Sequence, residues 1–217
     1  MQILCHELFK LSLVIPGVTT FLDLGSGAGK PSFHFSSFFR CLCVGIEVDY
    51  PLYFTSLGNL KKIYLKAREL GYHCPQVALL HRDIFGMSSF NPFEIIYSFD
   101  KLFEPELLSH IARVFNNSTH CKVFISYQKP LNLQRAGFVD ITLQRKLQLK
   151  MKGSGESKVC YIYTRRSTGP RRNDSSPDPI IGEILVRHSN GTLVEANKAL
   201  DIHSLGTRMS TRSSGQL

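Results

Sequence analysis

The segment Asp23-Leu24-Gly25-Ser26-Gly27-Ala28-Gly29 sets the structural expectation for this chain of 217 residues. It follows a short apolar run at residues 20–24, which predicts a β-strand, and precedes an amphipathic run at residues 31–39, which predicts a helix. Alternating glycines allow a sharp turn and leave main-chain amides uncovered, and the N-terminus of the next helix adds a positive dipole. The segment therefore predicts a loop for a nucleotide-like ligand at the carboxyl end of a first strand.

The spacing within this segment, the glycine loop, separates three classes of nucleotide-binding motif. A Walker phosphate loop needs a glycine where Leu24 stands and a serine or threonine directly after its lysine, but Lys30 is followed by Pro31. The dinucleotide fingerprint GxGxxG also fails, because its third glycine would fall on Lys30 or Ser32. The remaining pattern, acidic-x-Gly-x-Gly-x-Gly beginning at Asp23, resembles the signature of class I S-adenosylmethionine-dependent methyltransferases.

The chain around the glycine loop alternates short apolar runs with longer amphipathic ones, which predicts parallel strands joined by helical crossovers. Two last strand-like runs predict an antiparallel hairpin, turning at residues 153–155. The expected fold is therefore α/β, a three-layer Rossmann-like methyltransferase fold with a mostly parallel seven-stranded sheet. The predicted strands are residues 20–24, 42–47, 77–81, 93–99, 122–127, 138–149 and 159–165, and the predicted helices are an opening one up to about residue 14, then residues 31–39, 52–70 and 105–115.

The composition excludes several other classes of protein. A hydrophobic content of 43% allows a substantial core, so wholesale disorder is not expected. No apolar run approaches the roughly 18–20 residues that cross a bilayer, and residues 8–14 lack the flanking features of a secretory signal. The six dispersed cysteines form no CxxC pair, which predicts reduced, buried thiols and no metal site. We therefore expect an intracellular protein without a membrane partner.

The charge is unbalanced, with 26 Lys and Arg residues against 17 Asp and Glu and a net charge of +9. A basic surface suggests a polyanionic partner such as nucleic acid or chromatin, although solubility or an acidic protein partner would favour the same sign. After Arg166 the composition shifts to polar and chain-breaking residues. The sequence thus predicts one domain at residues 1–166, of the S-adenosylmethionine-dependent methyltransferase type that the glycine loop resembles. A polar linker and a largely disordered tail are expected at residues 167–217.

Acidic residues follow the second and third predicted strands. Glu47 ends the second strand, where its carboxylate can accept hydrogen bonds from both hydroxyls of a ribose. Asp83 follows the third strand and could accept a hydrogen bond from an adenine amino group, with Phe85 packed on the base. An aspartate after a strand is also an ordinary turn or N-cap residue, so both interpretations of Asp83 stay open.

The fourth predicted strand brings Tyr97, Ser98 and Asp100 to the carboxyl edge of the sheet, where open α/β folds bind their ligands. Methyl transfer is an in-line displacement, so the protein mainly aligns the acceptor and removes water. A lysine acceptor must also lose a proton, which a carboxylate can assist. These three residues are therefore the candidate catalytic residues, and each could instead cap a helix or pack in the core.

Four blocks of the sequence resemble the disruptor-of-telomeric-silencing family, the non-SET histone-lysine methyltransferases of the lysine-79 type. The blocks read LDLGSG at residues 22–27, CVGIE at 43–47, RDIF at 82–85 and SYQKP at 126–130. The resemblance implies S-adenosylmethionine as cofactor, a monomeric enzyme in the nucleus and a nucleosomal histone as substrate, with DNA phosphates contacting the basic surface. It further implies that Glu47 holds the ribose, that Asp83 and Phe85 frame the adenine, and that the methionyl part is lined by Asp23, Gly25, Ser26, Gly27 and Gly29.

The sequence departs from this family in two places. The family carries an asparagine pair on the fourth strand, where this chain reads Tyr97-Ser98-Phe99-Asp100. The family also has a Tyr-Gly-Glu loop before the glycine motif, and Cys5-His6-Glu7 does not match it, so the N-terminal lid is expected to be truncated. Two alternatives therefore remain: a methyltransferase for another protein or a small molecule, and a non-catalytic chromatin- or nucleic-acid-binding module on a degenerate methyltransferase fold.

Overall fold

The computed structural model describes residues 1–150, 156–166 and 181–185, and these residues include seven strands, five numbered helices and a short helical segment at residues 181–185. The strands are short where they are parallel and longer in the C-terminal hairpin. They are β1 (Phe21–Leu24), β2 (Cys43–Glu47), β3 (Val77–His81), β4 (Ile95–Ser98), β5 (Val123–Ser126), β6 (Ile141–Lys150) and β7 (Ser157–Arg165). The helices are α1 (Gln2–Lys10), α2 (Lys30–Phe39), α3 (Tyr50–Glu69), α4 (Pro105–Asn117) and α5 (Pro130–Arg135).

The strands form one sheet in the order β3-β2-β1-β4-β5-β7-β6. The first five strands of this order pair in parallel, and β7 runs antiparallel to both of its neighbours, β5 and β6. The structure therefore confirms the predicted α/β fold, with a mostly parallel seven-stranded sheet and a C-terminal antiparallel hairpin. The chain order reverses between β1 and β4, and open α/β folds bind their ligands at the carboxyl ends of the strands at such a point.

Two buried clusters, one on each face of the sheet, hold the layers together. Helices α1, α2 and α3 contribute to the first cluster, which includes Phe21 of β1. Helices α4 and α5 contribute to the second, which includes the next residue of the strand, Leu22. Successive residues of a strand point to opposite faces, so the chain forms the predicted three layers. Residues 181–185 are helical, and Ile181 and Ile184 join the second cluster.

Most element boundaries differ from the predictions by one or two residues, and three differences need a physical explanation. The opening helix ends at Lys10 rather than near residue 14, because the chain turns at Ser12, whose φ is 55°. Helix α5 was not predicted, since its six residues are too few to show a helical period. Strand β6 starts at Ile141 rather than residue 138, because Gly137 and Asp140 adopt positive φ angles of 95° and 55°.

The remaining sequence expectations concern thiols, membranes and the tail. All six cysteines are free and five are buried, as their apolar neighbours predicted. Among the described residues, no helix has both the length and the hydropathy that crossing a bilayer requires. In the same part of the chain, no group of three or more His, Cys, Asp or Glu residues is placed to hold a metal ion. The predicted turn at residues 153–155 and most of the predicted linker and tail, residues 167–180 and 186–217, lie outside the described residues.

Candidate functional site

The glycine loop folds back against the end of β2. Its three glycines, Gly25, Gly27 and Gly29, have φ angles of 71°, 53° and 81°, a region that other residue types rarely adopt. The amides of Gly25 and Ser26 both donate to the carbonyl oxygen of Ile46 at 2.9 Å. The loop is therefore anchored to the neighbouring strand by its own main chain, just beyond the carboxyl end of β1.

One face of the loop is open at its middle glycine. A β-carbon on Gly29 would lie 2.4 Å from the ring of Phe33, and one on Gly25 would lie 3.1 Å from the ring of Phe103. A β-carbon on Gly27 would have no atom within 4 Å. The uncovered surface of the loop is thus the main chain around Gly27, between two aromatic side chains that close its ends.

The carboxylate of Glu47 faces this loop. Its Oε2 atom accepts a hydrogen bond from the Gly27 amide at 2.7 Å, and its Oε1 atom accepts one from the Asp49 amide at 2.8 Å. The residue is only 7% exposed. Each carboxylate oxygen can accept a second hydrogen bond, so two acceptor positions remain. The structure therefore brings together two predicted parts of the site, and the ribose contact of Glu47 stays a prediction.

Asp23 is a buried carboxylate with one unsatisfied oxygen. The residue is 1% exposed, its Oδ2 atom accepts a hydrogen bond from the Ser32 hydroxyl at 2.9 Å, and its Oδ1 atom has no hydrogen-bond partner. Burial raises the pKa of Asp23 to about 7, and the nearby Glu47 carboxylate adds to this rise, while the Ser32 hydrogen bond opposes it. A cationic donor at Oδ1 would satisfy the oxygen and favour the ionised form.

Asp83 adopts the turn geometry that the sequence left open. Its Oδ1 atom accepts a hydrogen bond from the Phe85 amide at 2.9 Å and caps the 3₁₀ turn Ile84–Gly86. The ring of Phe85 is 47% exposed and packs against His110, with ring centroids 5.1 Å apart. The structure places both residues after β3 as expected, and their contact with an adenine stays a prediction.

Asp100, a candidate catalytic residue, joins the ends of β4 and β5. Its Oδ1 atom accepts a hydrogen bond from the Tyr127 amide at 2.8 Å, and its Oδ2 atom accepts one from the Ser126 hydroxyl. Its carbonyl oxygen accepts a third, from the Gln128 side chain at 2.7 Å. Burial raises the pKa of Asp100 to about 6, against the opposing effect of these donors. Both carboxylate oxygens are therefore engaged in holding the strand ends together.

The other two catalytic candidates are also buried. The hydroxyl of Tyr97 lies 3.3 Å from that of Tyr127, and burial raises the pKa of Tyr97 well above its ordinary value. The hydroxyl of Ser98 donates to the carbonyl oxygen of Leu24 at 3.4 Å. These contacts give Tyr97, Ser98 and Asp100 structural roles, and their catalytic role stays a prediction.

The sequence reasoning missed three residues that shape the site. Gly45 lies inside β2, where a β-carbon would come within 2.9 Å of the Ser26 side chain, so a glycine lets the loop approach the strand. A glycine within a predicted strand was the signal for it. Ser32, which holds the buried carboxylate, and Asn59, which donates to the Ala28 carbonyl at 3.2 Å, come from helices. No local pattern marks these two.

We expect Asp100→Asn to stabilise the protein at alkaline pH. Asparagine can accept from the Tyr127 amide and donate to the Ser126 hydroxyl. The pKa of Asp100 in the folded state, about 6, lies above its ordinary value, so its favourable contribution is complete below about pH 4 and is lost as the pH rises through 6. Relative to the wild type, the unfolding free energy of the variant should rise by about 1.5 kcal/mol between pH 5 and pH 8.

Urea denaturation at several pH values measures this difference. Glu106→Gln removes a carboxylate from an exposed position of α4 and serves as the control, whose profile should stay parallel to that of the wild type. A constant offset between Asp100→Asn and the wild type across this pH range would show that Asp100 is not a buried, titrating carboxyl.

Comparison with known proteins separates the fold from the family. No protein-family model matches the sequence, and no curated protein sequence does. Magnesium protoporphyrin IX methyltransferase from Synechocystis PCC 6803, with bound SAM, aligns at a TM-score of 0.53 and 16% identity over 76% of each chain. The same protein with bound SAH aligns at a TM-score of 0.54 and 14% identity, over 76% of this chain and 80% of that one. N-methyltransferase NodS from Bradyrhizobium japonicum WM9 aligns at a TM-score of 0.52 and 13% identity, over 75% of this chain and 94% of that one.

At these identities the comparisons establish the fold. The chain has the Rossmann-like fold of class I S-adenosylmethionine-dependent methyltransferases, as the sequence predicted. Nothing in them points to the lysine-79 family in particular.

Proposed function

We propose that this protein is an S-adenosylmethionine-dependent methyltransferase. One observation carries the proposal: the Glu47 carboxylate is hydrogen-bonded to the amide of Gly27, at the open face of the glycine loop and at the point where the strand order reverses. This arrangement places a carboxylate beside uncovered main chain, so that one ligand can contact both. The likeness in fold to methyltransferases crystallised with SAM and SAH supports it.

The residues present fit this cofactor at three points. The remaining acceptor positions of Glu47 suit the two ribose hydroxyls. The unsatisfied Oδ1 atom of Asp23 suits a cationic group such as the amino group of the methionyl part. The uncovered main chain at Gly27 gives the ligand room to approach, where a side chain would block it. The cofactor, when bound, supplies a methyl group on a positively charged sulfur, and the chain aligns the acceptor and excludes water.

We further propose a histone lysine in the nucleosome as the methyl acceptor, in the nucleus. Four sequence blocks resemble the lysine-79 family, and the net charge of +9 suits a partner covered with phosphates. The catalytic candidates lie at the carboxyl end of β4, where Tyr97 and Ser98 are its last two residues, and in the turn that follows it, where Asp100 stands. The identity of the methyl acceptor is proposed, and is tested, separately from the binding of the cofactor.

Two measurements test the two parts separately. Calorimetric titration of the folded chain with S-adenosylhomocysteine tests whether the cofactor binds, and absence of binding would reject the proposed methyltransferase activity. Transfer of a labelled methyl group to nucleosomes, free histones and cell extract tests the acceptor. Labelling that occurs only in the extract would show that the methyl acceptor is a molecule other than a histone. Salt-dependent nucleosome binding without turnover or cofactor binding would instead identify a non-catalytic module.

The affinity for S-adenosylmethionine should rise about tenfold between pH 5.5 and pH 7. Because the pKa of Asp23 is about 7 before binding, its carboxyl is mostly protonated at pH 5.5, and a cationic ligand must release that proton. Calorimetry in two buffers of different ionisation enthalpy should detect net proton release at pH 6. Asp23→Asn should bind more weakly and lose this pH dependence. An affinity that falls as the pH rises would place the cationic group elsewhere.

A further inference from the structure

A cleft of about 280 Å³ lies between the 3₁₀ turn Ile84–Gly86 and the second half of α4. Its lining includes Phe85, Met87, Ser88 and Arg113. Helix α4 starts at the carboxyl edge of the sheet and runs back along one face. Arg113 therefore lies roughly 12 Å down the helix from Pro105, at a rise of about 1.5 Å per residue. The Arg113 end of the cleft is thus set back from the carboxyl edge of the sheet, whereas Phe85 follows β3 near that edge.

A buried histidine fixes the guanidinium group of Arg113 in this cleft. The Nη2 atom of Arg113 donates to the Nδ1 atom of His110 at 2.6 Å. Since a guanidinium only donates, Nδ1 must accept, and the ring proton therefore sits on Nε2, which donates to the Ile84 carbonyl oxygen at 3.0 Å. His110 is 7% exposed, so the hydrogen bonds hold both side chains in one orientation. One edge of the guanidinium is used, and the rest is available to a ligand.

The charge of Arg113 is not balanced locally. The residues that line the cleft include no aspartate or glutamate. Within the described part of the chain, Arg113 forms no ion pair with a carboxylate. A rigid guanidinium without a counter-ion binds carboxylate or phosphate groups through paired hydrogen bonds. Ser88 and Asn117 add a hydroxyl and an amide to the same lining.

The other walls of the cleft are apolar and include an aromatic ring. The half-exposed ring of Phe85 packs on His110 on one side, and its remaining surface is available. Met87 and Val114 are buried and close the interior. An aromatic wall next to a fixed cation suits a flat ring that bears a negative charge.

We propose that this cleft binds a small planar organic anion, an aromatic or heteroaromatic ring that carries a carboxylate or a phosphate. The ring packs against Phe85 and Met87, and the anionic group pairs with Arg113. The cleft shares Phe85 with the proposed adenine contact, and its use as an anion site does not depend on the proposed methyltransferase activity. The carboxylate would come from an aromatic acid and the phosphate from a mononucleotide, and the test distinguishes these sources.

Nuclear magnetic resonance titrations of the full chain without S-adenosylhomocysteine, whose proposed adenine contact is also Phe85, test the proposal, with the Arg113 amide as the signal that belongs to the cleft alone. The probes are 2-naphthoate and uridine 5′-monophosphate, with the uncharged 2-naphthamide and uridine as matched controls. We expect one charged probe to shift the amide signals of Phe85 and Arg113 and to bind at least tenfold more tightly than its uncharged control. The probe that does so identifies the source. Binding of neither charged probe up to 10 mM overturns the proposal.

Variants separate the cleft from the general surface charge. Arg113→Gln should weaken binding of the charged probe at least tenfold, as the loss of a charge-assisted hydrogen bond implies. Arg68→Gln, which removes an exposed guanidinium from α3 on the opposite face of the sheet, should leave it unchanged. Ser88→Trp fills the cleft without removing the bond between Arg113 and His110, and should also prevent binding. Equal binding by the wild type and either cleft variant overturns the proposal.

Discussion

Replacing Gly27 with arginine should abolish binding of S-adenosylhomocysteine, with a loss in affinity of at least about 100-fold, while the chain remains folded. A β-carbon at this position meets no atom within 4 Å, so the new side chain enters the open space above the loop and not the core. That space is where the proposed ligand must approach the main chain. The positive φ of 53° adds a backbone cost of about 1 kcal/mol for a residue other than glycine.

Gly71 offers a matched control for this variant. It also has a positive φ, 67°, and a β-carbon there also meets no atom within 4 Å, but it follows the end of α3, away from the glycine loop. Gly71→Arg should therefore lose a similar amount of stability and keep full affinity. Calorimetry and thermal unfolding of both variants make the comparison. Retained binding in Gly27→Arg would show that the ligand does not use this face of the loop.

Arg165→Met should lower the unfolding free energy by about 3 kcal/mol. Arg165 is 9% exposed, and its two Nη atoms donate to the carbonyl oxygens of Ser118 and Phe115 at the C-terminal end of α4. Its guanidinium also lies 4.5 Å from the centre of the Phe115 ring. Methionine keeps the apolar stem but removes these donors from buried carbonyl groups at a helix end, where the Phe115 carbonyl keeps only the Ser118 amide at 3.2 Å among the described residues.

Chemical denaturation at pH 7 measures this loss. Arg68→Met is the control, because it removes an exposed arginine from the last turn of α3, and it should change stability by less than about 0.5 kcal/mol. Arg165→Lys should fall between the two, since one ammonium group cannot reproduce a planar fork of donors. A loss below about 1 kcal/mol for Arg165→Met would mean that water replaces the guanidinium at the helix end.

The sequence predicted the fold well because the local signals repeat along the chain. The parallel strands are short, mostly apolar runs, such as Ile95–Ser98, which is buried along its whole length, and they alternate with helices long enough to show a period. Helix α5 was missed because its six residues show no period. The positive φ angles at Gly137 and Asp140 that delay β6 are set by the turn.

A site residue could be predicted from the sequence where its type and its place at the end of a strand together indicate a single chemical role. Asp23 and Glu47 meet that condition, and the structure places both at the glycine loop. Asp100 does not meet it, because a carboxylate that follows a strand can transfer a proton, cap a helix or join two strands by hydrogen bonds. Its contact with Ser126 spans 26 residues and forms only when β4 and β5 pair. Such long-range contacts leave no local pattern.

The placement of β7 between β5 and β6 affects how the protein can be synthesised. β6 comes earlier in the chain, yet among the described residues it pairs with β7 alone, and this partner is absent until residues 157–165 have been made. Until then the edge of β5 is also uncovered and can pair with another chain. A nascent chain that stalls before residue 157 should therefore aggregate and depend on chaperones, whereas one that ends after residue 185, and so includes Ile181 and Ile184 of the second cluster, should not.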